Sequence, residues 1–226
     1  MKKLYYLISL LLLASALVFT GCDDDDDPPA ENEEEIINFM RLTFTPAGGG
    51  PGDAVTFEAL DSDADGPLDY ESATINLLAD TTYILTIEVE NTIEGKDVTE
   101  EIQDEATAHQ FFFAWTGQIF DEPNGFGNFA DDGFETGPYG SVNGMVNYDD
   151  EETDYQTEAD DDDVLPRDGV PVGLRTIWVT GSTTTAAEQF RVALKHQPGI
   201  KTANTNSNSG GALSDIDVTF PINIVQ

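Results

Sequence analysis

The chain has 226 residues and a formal net charge of −35, because 44 acidic residues stand against nine basic ones. Such a polyanion repels nucleic-acid phosphates and attracts cations, so we expect no nucleic-acid partner. The single cysteine excludes an intramolecular disulfide, and the fold must therefore depend on its hydrophobic core.

The N-terminus has the pattern of an export signal. Lys2 and Lys3 precede a long apolar run, and small residues then lead to Cys22. This order is typical of a secretory signal peptide, here predicted over 1–21. A cysteine directly after Gly21 resembles the lipobox of bacterial lipoproteins, which implies cleavage before Cys22, lipidation of its thiol and an N-terminal lipid anchor in the membrane. A plain signal peptide or one spanning helix is the alternative, although the run is short for a span.

Residues 22–35 are predicted to form a disordered acidic tether. Aspartates fill 23–27, two prolines follow, and acidic residues dominate 31–35. Self-repulsion and the lack of apolar residues keep such a segment extended. Acidic residues after a lipidated cysteine act in some Gram-negative lineages as an export signal to the outer leaflet, and a simple spacer is the alternative. We therefore expect an outer-membrane lipoprotein, on the periplasmic face or at the cell surface.

From residue 36 onwards, short runs of alternating apolar residues are separated by Gly, Asp and Pro. These runs predict an all-β domain over 36–226, an antiparallel immunoglobulin-like β-sandwich of eight or nine strands. Among them, 109–115 is apolar enough for a strand buried on both faces, and Pro221 indicates that the last strand lies at an edge. The main predicted strands cover 37–46, 55–59, 74–77, 83–89, 109–115, 172–180, 190–196 and 216–224.

One short helix interrupts this β pattern near 98–108. Asp97 or Thr99 can cap its N-terminus, where Glu100 and Glu101 suit the helix dipole.

The segment 118–168 is predicted to be a long loop insertion, rich in Gly, Asn, Asp and Phe, with 142–148 as a candidate strand. Its aromatic side chains either form a sugar- or protein-binding surface or pin the loop onto the sandwich. The aromatic residues concerned are Phe120, Phe126, Phe129, Phe134 and Tyr139.

The acidic turn that starts at Asp61 has the spacing of a calcium loop. Asp61, Asp63 and Asp65 alternate before a glycine, and Asp69 falls where a further ligand is expected. The predicted flanks are strands, so the turn is not an EF-hand. Either the four aspartates bind Ca²⁺ in an inter-strand loop, or they form an acidic turn without metal.

The two histidines of the chain are candidate transition-metal ligands. His109 and His196 each precede a glutamine and each lie at a predicted strand end. If these strands are neighbours, the two imidazoles meet and can bind Zn²⁺ or copper, with an acidic side chain or water completing the shell. A bis-histidine haem site and two separate core histidines are the alternatives.

No enzymatic activity is predicted. The sequence has no Gly-x-Ser-x-Gly, no His-Glu-x-x-His and no glycine-rich phosphate loop. Its acidic pairs lie in runs that are typical of solvated surfaces.

Several segments of the chain share the motifs of one known family. They are the lipobox with its aspartate run, 33–37, 61–66, 98–102, 108–113, 171–174, 194–198 and 217–220. Together they resemble a family of small Gram-negative lipoproteins of largely unassigned role, often named "type 1 periplasmic binding fold superfamily protein". The name implies a two-lobed α/β solute-binding fold, but the strand-rich pattern and single helix of this chain favour the sandwich.

The functional hypothesis is a lipid-anchored envelope or surface protein that captures a metal ion or small ligand, with an outer-membrane uptake receptor as partner. The alternative is an adhesion or structural surface module whose calcium loop stiffens the sandwich.

Overall fold

Alternating apolar side chains distribute the chain between two β-sheets. The computed structural model describes residues 36–50, 52–63, 69–125, 127–128, 146–159, 164–205, 207 and 214–226. Twelve strands occur in these residues: β1 (Phe39–Pro46), β2 (Val55–Leu60), β3 (Glu71–Ser72), β4 (Ile75–Leu78), β5 (Thr82–Asn91), β6 (Lys96–Asp97), β7 (His109–Trp115), β8 (Phe120–Glu122), β9 (Asn147–Tyr148), β10 (Arg175–Thr180), β11 (Thr185–His196) and β12 (Ser214–Val225). The helical segments are a 3₁₀ turn (Ala47–Gly49), α1 (Val98–Asp104) and α2 (Glu152–Tyr155).

The first sheet has the strand order β3-β2-β1-β5-β10-β8, with β6 paired to β5 and β9 paired to β10. All its pairings are antiparallel. In β5 the residues Tyr83, Leu85, Ile87 and Val89 are buried while their neighbours are more exposed, which is the period-two pattern of a half-buried strand.

The second sheet has the order β4-β12-β11-β7, and its one parallel pair is β4 with β12. β7 is buried along its whole length, as predicted. Gly173, at φ 93°, passes so close to β7 that an added Cβ would lie 2.9 Å from the Cβ of Phe111. The backbone N–H of Phe111 donates to the carbonyl of Val172 at 2.7 Å. The loop that contains Val172 and Gly173 therefore covers the outer edge of β7.

The core between the sheets is dominated by aromatic rings. Trp178 of β10 is fully buried, and its ring lies 5.2 Å from that of Phe190 and 5.4 Å from that of Phe113. Its indole N–H donates to the hydroxyl of Thr176 at 2.7 Å. Edge-to-face contacts of this kind favour one arrangement of the two sheets.

The structure confirms the all-β, sandwich-like fold class, and it differs from the prediction in its elements. Twelve described strands replace the expected eight or nine, because several are only two or three residues long. The predicted helix over 98–108 ends at Asp104, since the chain must turn to enter β7, and Asp97 caps it by accepting from the N–H of Thr99 at 2.9 Å. A second helix, α2, was not predicted. β12 is not an edge strand, because β4 and β11 flank it.

The predicted loop insertion at 118–168 contains β8, β9 and α2 in its described part. The signal peptide (1–21), Cys22 and the tether (22–35) lie outside the described residues, as do Asp65, Phe126, Phe129, Phe134 and Tyr139. Within the described part of the chain, no helix has the length and apolar character to cross a membrane.

Candidate metal centre

The two histidines face each other at one end of the second sheet. β7 begins at His109 and β11 ends at His196, and the antiparallel register pairs them directly. The preceding rung on the same face pairs Leu194 with Phe111, both fully buried. Because side chains alternate with a period of two, the imidazoles lie on the core side of the sheet.

The imidazole rings stack on each other. Their centroids are 4.5 Å apart and their planes differ by 9°. The side chain of His109 is only 1% exposed, whereas His196 is half-buried at its strand end. The pair therefore has an inner, fixed member and an outer member that solvent reaches.

Two carboxylates flank His109 on opposite sides of its ring. Glu105 Oε2 lies 3.8 Å from Nδ1, and Asp215 Oδ2 lies 4.0 Å from Nε2. The backbone carbonyl of Glu105 is nearer still, 3.3 Å from Nδ1. One ligand atom each from Glu105, His109 and His196 fit within 4.8 Å of one another.

The electrostatic environment keeps His109 neutral. Burial lowers the pKa of His109 to about 3, and the nearby His196 contributes in the same direction. Neutral imidazole is the form that binds metal ions, so the ring is ready for coordination at neutral pH.

The end of α1 positions Glu105. Val98 and Ile102 are buried and hold the helix against the core, and the N–H of Glu105 donates to the carbonyl of Glu101 at 2.9 Å. The chain then turns, and the N–H of His109 donates back to the carbonyl of Glu105 at 3.2 Å. Glu105 and its carbonyl are thereby fixed beside the first residue of β7.

A buried ion cluster contacts the turn between α1 and β7. The ammonium group of Lys201 donates to the carbonyl of Ala106 and lies 3.3 Å from the carboxylate of Glu152. Arg167 pairs with the same carboxylate at 2.9 Å. Burial lowers the pKa of Lys201 to about 8, against the opposing charge of Glu152.

Sequence reasoning identified both histidines but missed Glu105, Asp215 and Lys201. Glu105 lies inside the helix predicted near 98–108, four residues before His109, and this spacing was a usable signal. Asp215 directly precedes the alternating run of the last strand, and nothing in its position marks it. Lys201 follows the predicted strand that ends at His196, and nothing in its local sequence marks it as buried.

The acidic turn is assembled in part. Asp61, Asp63 and Asp69 bring ligand atoms within 4.8 Å of one another, and Asp65 lies outside the described residues. Asp61 is buried at the end of β2, where its N–H donates to the carbonyl of Asn38 at 2.9 Å. Carboxylate oxygens alone suit Ca²⁺ better than a transition metal.

Of the five aromatic residues of the 118–168 segment named above, Phe120 is the one that lies in the described part of the chain. Phe120 is buried, and its ring lies 4.6 Å from that of Trp178 in the core. Phe120 therefore pins its segment onto the sandwich and does not contribute to a binding surface.

Comparison with known proteins adds no relative. No protein-family model, no curated protein and no solved structure matches this chain.

Proposed function

We propose that this chain is a lipid-anchored envelope protein that binds a transition-metal ion, Zn²⁺ or copper, at His109 and His196. The observation that carries the proposal is the direct pairing of the two imidazoles beside carboxylates of Glu105 and Asp215. Two imidazoles and a carboxylate are a donor set that suits zinc and Cu²⁺.

The stacked arrangement favours a single ion over haem. An imidazole lone pair lies in the plane of its ring, so two parallel rings must turn relative to each other to share one ion. The half-buried His196 has room for this rotation, whereas His109 is enclosed. A porphyrin held by both rings would have to separate two strands that are paired through seven residue pairs.

The proposed place of action is the outer membrane, with Cys22 as the lipidated residue. The support is the signal-peptide pattern and the lipobox-like cysteine of the sequence. Because His196 is partly exposed, an ion bound there remains within reach of an exchange partner, for which an outer-membrane uptake receptor is the proposed candidate.

The proposal is tested by measuring zinc binding to the full chain, purified in detergent and stripped with a chelator. We expect one tightly bound zinc ion per chain by elemental analysis and calorimetry, at about 0.15 M salt to screen the surface charge. His109→Ala and His196→Ala are expected to lose this ion.

Asp63→Asn is the matched control, because it removes one charge from the acidic turn and leaves the histidines intact. Circular dichroism confirms that each variant folds. A wild-type chain without stoichiometric zinc or copper, or a His196→Ala variant with unchanged metal content, would overturn the proposal.

A second function is favoured by the acidic turn alone: a surface module stiffened by Ca²⁺. Its support is the convergence of Asp61, Asp63 and Asp69. A ligand that binds only the folded state raises the melting temperature, so Ca²⁺ should raise that of the wild-type chain and not that of Asp63→Asn. Equal melting temperatures with and without Ca²⁺ exclude this function.

A further inference from the structure

We infer that Asp215 is the carboxylate ligand of the proposed metal site and that Glu105 instead orients His109 through its backbone carbonyl. The inference rests on the proposed function and deepens it, because it assigns the donor atoms. The resulting set is two imidazoles and one aspartate, contributed by β7, β11 and β12. It forms when the His196 ring turns toward Nε2 of His109, since the ligand atoms that already lie within 4.8 Å of one another are those of Glu105, His109 and His196.

The tautomer of His109 decides between the two carboxylates. Nδ1 of His109 lies 3.3 Å from the carbonyl oxygen of Glu105. A carbonyl only accepts hydrogen bonds, so Nδ1 carries the proton and donates. The lone pair of the neutral ring is then on Nε2, the side that faces Asp215.

The position of the Glu105 carboxylate agrees with an orienting role. Its Oε2 lies 3.8 Å from Nδ1, on the protonated side of the ring, and the side chain is 41% exposed. If the Glu105 carboxylate shared an ion with Nδ1 of His109, the ring would have to give up its hydrogen bond to the Glu105 carbonyl. Backbone carbonyls that fix a histidine tautomer from the far side are a common feature of metal sites.

The gap on the other side of the ring fits an ion. Nε2 of His109 and Oδ2 of Asp215 are 4.0 Å apart, beyond the range of a direct hydrogen bond. Two ligand atoms at about 2.0–2.1 Å from a tetrahedral zinc are about 3.4 Å apart. A closure of roughly half an ångström would therefore make both atoms ligands of one ion.

A β-bulge places Asp215 at the site. In the pairing of β11 with β12, Leu194 is opposite Ile216, but Lys195 is opposite Ser214, so Asp215 is the extra residue. Asp217, two residues on, instead pairs with Arg191. Bulges redirect a side chain away from the regular alternation and are frequent beside functional sites.

Three protein ligands leave one position of a tetrahedral ion for water or an exchange partner. Sites of this kind differ from closed structural zinc sites, which have four protein ligands. The half-buried His196 lies toward solvent, so the open position is reached from that side.

The test compares Asp215→Asn with Glu105→Gln in the full chain, two variants that each remove one carboxylate charge near His109. We expect Asp215→Asn to weaken zinc binding by about tenfold or more and Glu105→Gln to change it by less than about threefold. Nitrogen-15 NMR of histidine-labelled wild-type protein supplies an independent readout, since Nδ1 should be protonated before and after zinc addition and Nε2 should shift.

The possible outcomes separate the two proposals. If the wild-type chain binds no zinc or copper, the proposed function fails and this inference with it. If it binds zinc through the histidines, but Asp215→Asn binds as tightly as wild type or zinc shifts Nδ1, the inference is wrong while the proposed function stands. Should Asp215→Asn fail to fold, the NMR result on the wild-type chain decides.

Discussion

The ammonium group of Lys201 lies 3.3 Å from the carboxylate of Glu152, and both side chains are completely buried. An ion pair in such a place is retained only with further polar partners. Lys201 also binds the carbonyl of Ala106, and Glu152 also binds Arg167. The cluster thus joins α2 and two loops to the turn that carries Glu105.

Replacement of Lys201 by methionine should lower the free energy of unfolding by about 3 kcal/mol, because it leaves Glu152 buried with one cation instead of two. Denaturant unfolding measures the change. Glu58→Gln is the control: it removes an exposed carboxylate paired with Arg41 and should cost at most about 1 kcal/mol. Equal effects of the two variants would contradict the structural role of Lys201.

Acid should destabilise the metal-free protein through His109. Its pKa is lowered to about 3 in the folded state, against 6.5 for the ordinary side chain. The unfolded chain therefore binds a proton first as the pH falls, and stability is lost between about 6.5 and 3. From about pH 7 to pH 4.5 this group should contribute about 2–3 kcal/mol to the loss, measured by urea unfolding with a chelator present.

His109→Phe should remove this contribution, whereas His196→Phe should keep most of it, because burial is the larger cause of the lowered pKa of His109. Asp150, whose pKa is raised by burial, makes the free energy of unfolding change with pH in the opposite direction. It is present in all three proteins, so the difference between variants isolates His109. An unchanged slope in His109→Phe would contradict the assignment.

Alanine substitutions at two glycines distinguish the cost of backbone strain from the cost of a steric clash. Gly173→Ala and Gly169→Ala both place a Cβ at positive φ, at 93° and 73°, which costs about 1–2 kcal/mol. At Gly169 the new atom meets nothing within 4 Å, but at Gly173 it lies 2.9 Å from Phe111 and Tyr148 side-chain atoms. Gly173→Ala should therefore cost about 1–3 kcal/mol more in thermal or urea unfolding, and equal costs would rule out the close packing against β7.

Lipidation is tested at Cys22. A labelled fatty acid fed to cells expressing the chain should be incorporated into the wild-type protein and not into Cys22→Ser, because this thiol is the only one in the chain. Membrane fractionation should move the variant to the soluble fraction. Incorporation that persists in Cys22→Ser would remove the anchor from the proposed function.

Local patterns in the sequence predicted local features well. The alternation over 216–224 gave β12, the apolar run over 109–115 gave a strand buried on both faces, and Asp97 caps α1 as expected. Each of these depends on neighbouring residues or on a burial period of two, which the sequence records directly.

Pairings between distant strands could not be predicted from such patterns. Pro221 suggested an edge strand, yet β12 is central, because the parallel ladder with β4 begins only after the proline, at Ile222. The histidines were identified by type, but their contact depends on the register of β7 with β11. The position of Asp215 depends on a bulge in β12, and the burial of Lys201 depends on the ion cluster around it.

The two imidazoles form the last rung of a ladder that begins with Phe190 opposite Trp115. A slip of one residue between β7 and β11 would turn one imidazole away from the other, since alternate residues point to opposite faces. The centre therefore exists only after the second sheet has closed in its correct register. Under the proposed function, an unfolded chain that awaits export has no such centre. Metal uptake would then follow folding, and a bound ion would stabilise the finished sheet.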